Sequence, residues 1–150
     1  MSVVVLSEIA TAGVGFRQLT STFPVAVQRG TRVTVQVRSN FTLDNTHTAL
    51  FYKPGTTSGI QMTLAETAPI AAMPEGEHSV GTPFRFRVGA PADQGPGVYE
   101  YRLATNRGAS SVAHLLVTEY PVIEEKDGEN ETAATAQQVS VPAAICGVCE

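Results

Sequence analysis

The sequence predicts an all-β protein, an antiparallel sandwich or barrel. Three observations carry this. Apolar and polar residues alternate with period two in several short runs. The runs are spaced by turn chemistry, with 13 Gly and 9 Pro in 150 residues. No stretch shows a helical period closed by caps, which argues against a βαβ fold. A hydrophobic content of 43% is enough for a core, and charged residues make up only 16%.

The elements follow in order. Residues 1–10 (MSVVVLSEIA) hold a short apolar stretch at 3–6, read as a first strand. No Lys or Arg precedes it, and it falls short of the roughly 7–15 apolar residues of an export signal, so none is visible. Residues 31–38 place Val33, Val35 and Val37 on one face and Thr34, Gln36 and Arg38 on the other, just after the Arg29-Gly30 turn. SNFTLDNT is then a polar loop. Residues 47–53 (HTALFYK) form an apolar run closed by Pro54-Gly55, and residues 59–64 alternate through Ile60, Met62 and Leu64. Residues 65–80, with Pro69, Pro74 and Gly76, read as a long loop with at most a weak strand.

Residues 82–88 set Phe84, Phe86 and Val88 against Arg85 and Arg87. The Gly- and Pro-rich 89–97 connects to residues 98–103, where Tyr99, Tyr101 and Leu103 share a side. Asn106-Arg107-Gly108 is a turn, and residues 111–118 point Ala113, Leu115 and Val117 inward. After Tyr120-Pro121 the character changes. EEKDGENE (124–131) is an acidic linker composition, TAATAQQ (132–138) allows a short helical turn, and 139–141 and 144–149 are strand-like.

Several segments together resemble a known arrangement. They are Phe23-Pro24 with Gln28-Arg29-Gly30-Thr31, Leu50-Phe51-Tyr52-Lys53-Pro54-Gly55, and Phe86-Arg87-Val88 to Ala92. Gly97-Val98-Tyr99 and Thr105-Asn106-Arg107-Gly108-Ala109-Ser110 complete the series. In this order they resemble an immunoglobulin-like module of the IPT/TIG kind, as found in large planctomycete surface and secreted proteins. Glu129 to Gln137 followed by Val141-Pro142, with Gly147 at the strand glycine, resembles the entry to a bacterial pre-peptidase C-terminal domain, although Gly128 and Glu129 stand where that family has Glu-Pro. The resemblance implies an antiparallel immunoglobulin-like β-sandwich, an acidic linker and a truncated β segment. The expected division is an N-terminal strand or extension at 1–22, the sandwich at 23–119, the linker at 120–138 and the start of a second β domain at 139–150.

The chemistry-bearing residues are few. A net charge of −4 argues against a nucleic-acid partner, and no apolar run approaches the roughly 20 residues of a membrane-spanning helix. His47, His78 and His114 lie in separate segments without metal-ligand spacing. None of the hydrolase, metalloprotease, P-loop or dinucleotide motifs is present. Cys146 and Cys149 form C-G-V-C, half of a zinc site and outside any thioredoxin-like context, so two strand residues are the simpler reading. Residues 127–131 offer oxygen ligands without EF-hand spacing and read as a solvated linker, with calcium as the sharper alternative raised by the pre-peptidase resemblance. Asn40-Phe41-Thr42 and Asn130-Glu131-Thr132 match glycosylation sequons and are taken as chance in a bacterial context.

The resulting expectation is a non-catalytic extracellular or cell-surface module with no cofactor and no catalytic, cofactor-binding or metal residue. Its partners would be other domains of a larger exported protein, surface proteins or glycans. Two alternatives stand beside it. One is an accessory domain of a secreted peptidase or carbohydrate-active enzyme whose catalytic domain lies elsewhere. The other is a small intracellular redox or zinc protein using Cys146 and Cys149.

Overall fold

The computed structural model describes residues 17–66, 83–126 and 132–147. The strands are β1 (Leu19–Phe23), β2 (Ala26–Gln28), β3 (Arg32–Ser39), β4 (Thr46–Tyr52), β5 (Gln61–Glu66) and β6 (Phe84–Gly89). They continue with β7 (Gly97–Thr105), β8 (Gly108–Ala109), β9 (Ala113–Thr118), β10 (Val122–Glu124) and β11 (Ala144–Cys146). No helix occurs among the described residues, so none there is long and apolar enough to cross a membrane.

Two sheets stack. One has the order β1-β3-β6-β5 and the other β2-β9-β7-β4, with β8 paired to β7. With β1 as strand A, this is the A-B-E-D and C-F-G distribution of an immunoglobulin constant-type sandwich. The alternating residues meet in one core. Val35, Val37, Phe84, Phe86 and Val88 from the first sheet pack with Tyr99, Tyr101, Leu103, Leu115 and Val117 from the second. Their partners in alternation, Thr34, Gln36, Arg85 and Arg87, face water. A one-residue slip in any of these strands would turn its apolar set outward, so burial pins the register, for example Val35 opposite Phe86.

A hydroxyl fixes the approach to β7. Tyr99 is fully buried. Its OH donates to the Gly95 carbonyl at 2.7 Å and accepts from Gln94 Nε2 at 2.7 Å. This is the tyrosine corner of immunoglobulin-like sandwiches, a Tyr near the start of strand F bonded to backbone just upstream. Gln94 is buried and extends the brace, accepting from the Gly59 N–H at 2.7 Å and donating to the Thr57 carbonyl at 3.3 Å.

Three features differ from the strand reading of the sequence. Residues 19–28 form β1 and β2, which lack an extended alternating run. The chain switches sheets between them, and β2 runs parallel to β9, unlike the antiparallel ladders of the sandwich sheets. The range read as linker contains β10, which pairs in parallel with β11 in a separate two-stranded sheet. Gln137 ties this return together, donating to the Glu124 carbonyl at 3.2 Å and accepting from the Lys126 N–H at 2.8 Å. The expected helical turn is present as a single turn, with the Thr135 and Ala136 N–H groups donating to the Thr132 carbonyl. The strand expected at 3–6, the loop core at 67–80 and residues 127–131 lie outside the described residues.

Candidate binding cleft at one end of the sandwich

The strand order brings the β3–β4 loop, the β7–β8 turn and the segment entering β1 to the same end of the sandwich. Between them lies a cleft of about 170 Å³ lined by Arg17, Phe41, Thr42, Asp44, Asn45, Thr105, Asn106 and Arg107.

The β3–β4 loop is anchored by Leu43, which is fully buried in the core. Its carbonyl accepts from Thr46 N–H at 3.1 Å and Thr46 Oγ1 at 2.7 Å. The Ser39 hydroxyl donates to the Phe41 carbonyl and sets the start of the loop. With Leu43 held inward, the flanking polar residues are presented to the cleft. Asp44 Oδ1 accepts from Thr42 Oγ1 at 2.8 Å and from Asn45 Nδ2 at 3.0 Å.

The opposite wall is built on Thr105. β7 and β8 form a hairpin with Asn106 and Arg107 as its two loop residues. The Thr105 hydroxyl donates to the Gly108 carbonyl at 3.1 Å. It accepts from the Arg107 N–H at 3.2 Å and from Arg17 Nη1 at 3.3 Å. One donor and two acceptor positions are thus all used. Gly108 has φ +119, and an added Cβ there would stand 3.6 Å from Arg17 Nη1.

Arg17 is positioned by backbone as well as by Thr105. Its carbonyl accepts from the Ser111 N–H at 2.7 Å, and Ser111 Oγ accepts from the Leu19 N–H at 3.0 Å. The guanidinium lies 5.8 Å from the Phe41 ring centroid, within cation–π range. Among the described residues, neither Arg17 nor Arg107 has a carboxylate within salt-bridge distance, while Arg29 pairs with Glu119 at 3.3 Å on the exposed surface.

The residues considered from the sequence fall elsewhere. His47 and His114 are exposed on β4 and β9, strands separated by β7. His78 and Cys149 lie outside the described residues, as does the acidic run 127–131. Cys146 is a buried free thiol on β11. Among the described residues no group of three or more His, Cys, Asp and Glu side chains comes together to hold a metal. Among the described residues, Tyr101 is the titratable group whose environment stands out: burial pushes its phenol above the usual range, and the hydrogen bond with Thr22 partly offsets this. None of the cleft residues was singled out as binding by the sequence. The signal was present in two Asn- and Asp- or Arg-bearing loops, SNFTLDNT and TNRG, which the immunoglobulin-like order places at one end.

No protein-family model matches the chain, and no curated protein matches it. Among solved structures, one similar chain is SGBP-B of the Bacteroides ovatus mixed-linkage glucan utilization locus, in complex with a mixed-linkage heptasaccharide. It is 16% identical with a TM-score of 0.40, over 69% of this chain and 22% of that one. This chain therefore spans about a fifth of that protein, and a likeness at that level carries no information about a shared ligand.

Proposed function

We propose that this chain is a non-catalytic, extracellular or cell-surface β-sandwich module of a larger exported protein, and that it binds a glycan through the loop-end cleft. The observation that carries this reading is the composition of that cleft. Asp44, Asn45, Asn106, Arg17 and Arg107 are planar polar groups suited to hydrogen-bonding adjacent hydroxyls, and they stand beside the Phe41 ring. At about 170 Å³ the cleft suits one small ring rather than a drug-sized molecule, whose pockets run to roughly 300–1,000 Å³. Binding groups on loops held by a rigid sandwich are a common division of labour.

The test is a panel of immobilised oligosaccharides probed with the full chain and two variants. Asn106→Ala removes a cleft donor and acceptor from the exposed turn. Tyr52→Ala alters an aromatic that is 61% exposed on β4, away from the cleft. Retained folding, with binding lost in Asn106→Ala and kept in Tyr52→Ala, supports the reading. Binding that survives Asn106→Ala but is lost in Tyr52→Ala would move the site to the outer sheet face and overturn the cleft assignment.

A further inference from the structure

We infer that the cleft selects an acidic sugar, one carrying a carboxylate on its ring, over a neutral one; this rests on the glycan-binding reading above. The cleft is lined by two guanidinium groups, Arg17 and Arg107, and one carboxylate, Asp44. Neither arginine is neutralised by an ion pair among the described residues. Asp44 instead has one oxygen committed to Thr42 and Asn45. The local balance is therefore positive, although the whole chain carries −4. Guanidinium groups match carboxylates with paired, planar hydrogen bonds, and Arg keeps its charge at any physiological pH.

The two arginines are held differently, which divides their roles. Arg17 is fixed by Thr105 and lies beside the Phe41 ring, so its fork is already oriented before a ligand arrives. Arg107 is exposed on the β7–β8 turn, and among the described residues the hydrogen bond it makes is from its backbone N–H, to Thr105. It is therefore the group able to close on a ring carboxylate while Asn106 and Asp44 take the hydroxyls. Binding that depends on such pairs at an open cleft weakens as salt is raised.

The experiment is calorimetric titration of the full chain with a galacturonate trimer, with cellotriose as the neutral counterpart and with sodium acetate as the carboxylate alone. The expected result is at least tenfold tighter binding of the galacturonate trimer than of cellotriose. That preference should fall to within about twofold in Arg107→Gln, which keeps a planar polar group but removes the charge. Arg107 is exposed and contributes nothing to the core, so a folded variant is expected, and circular dichroism checks it. Equal or tighter binding of cellotriose overturns the charge inference while leaving the glycan reading in place. Acetate binding as tightly as the trimer overturns the sugar part and marks a bare-carboxylate site. Binding of none of the three overturns the inference together with the glycan reading.

Discussion

Replacing Tyr99 with Phe tests whether the tyrosine corner holds the sandwich together. The substitution keeps the fully buried ring and removes one oxygen. Two bonds of 2.7 Å are lost, one to the Gly95 carbonyl and one from Gln94 Nε2. Gln94 keeps its 3.3 Å bond to Thr57, so its amide is only partly stranded. Gly95 is a half-buried residue, so its carbonyl is taken to recover some hydration. Taking about 1 kcal/mol per buried hydrogen bond, with little added penalty, the loss is roughly 2 kcal/mol. For a sandwich of about 100 residues that lowers Tm by about 8–16 °C. Urea unfolding of the variant should show a lower midpoint with an unchanged slope, because the surface exposed on unfolding is the same. A Tm shift below about 3 °C, or a changed urea slope, would refute the assignment of this hydroxyl as a brace.

Other outcomes follow from the same structure. Because burial raises the Tyr101 phenol in the folded state, the unfolded state loses that proton first, so its contribution to stability is complete below about pH 10 and disappears as pH rises through the folded-state value. Urea unfolding between pH 9 and pH 11 should therefore show a steeper loss in the native chain than in Tyr101→Phe, and parallel losses would contradict this. Removing residues 121–150 should leave a cooperative unfolding transition within a few degrees of the full chain, since none of the described residues among them belongs to the sandwich core; calorimetry decides it. Gly97 sits at φ +130, where a side chain is strained, so Gly97→Ala should cost about 1–3 kcal/mol even though the nearest clash, Lys53 Nζ at 2.6 Å, is a movable group. A neutral effect in urea unfolding would show that β7 can begin in another conformation.

The parts of the fold legible in the sequence are those where burial imposes alternation. In β3, β6, β7 and β9 one face is core and the other is wet, so Val35, Phe86, Tyr101 and Leu115 announce themselves by spacing. β1 and β2 lacked that signature. β1 borders the first sheet with mixed burial, and β2 is three residues long beside β9, too short for a period to register. The pairing of β10 with β11 was hidden for another reason: it joins segments some twenty residues apart, across a stretch with a linker's composition. The cleft was illegible because its residues come from three separated segments. Polar loop residues look alike in sequence whether they line a cleft or meet bulk water. Only the strand order tells that Asp44 and Arg107 share an end.

The parallel run of β2 beside β9 has a mechanical consequence. Parallel strands place the entry to β2 and the exit from β9 at opposite ends of the ladder. A pull that draws the two chain ends apart therefore acts along the strands and loads the ladder in shear. The Leu116 N–H to Val25 carbonyl bond and the Arg29 N–H to Thr118 carbonyl bond, both 2.8 Å, would share the force with the bonds between them. The antiparallel β1–β3 ladder, which precedes the sheet switch, is loaded in the same sense because β1 leads into β2 in one direction. Neither ladder can be peeled one bond at a time from its end. As a link in a chain of domains, such a unit would transmit tension and yield only when several hydrogen bonds fail together.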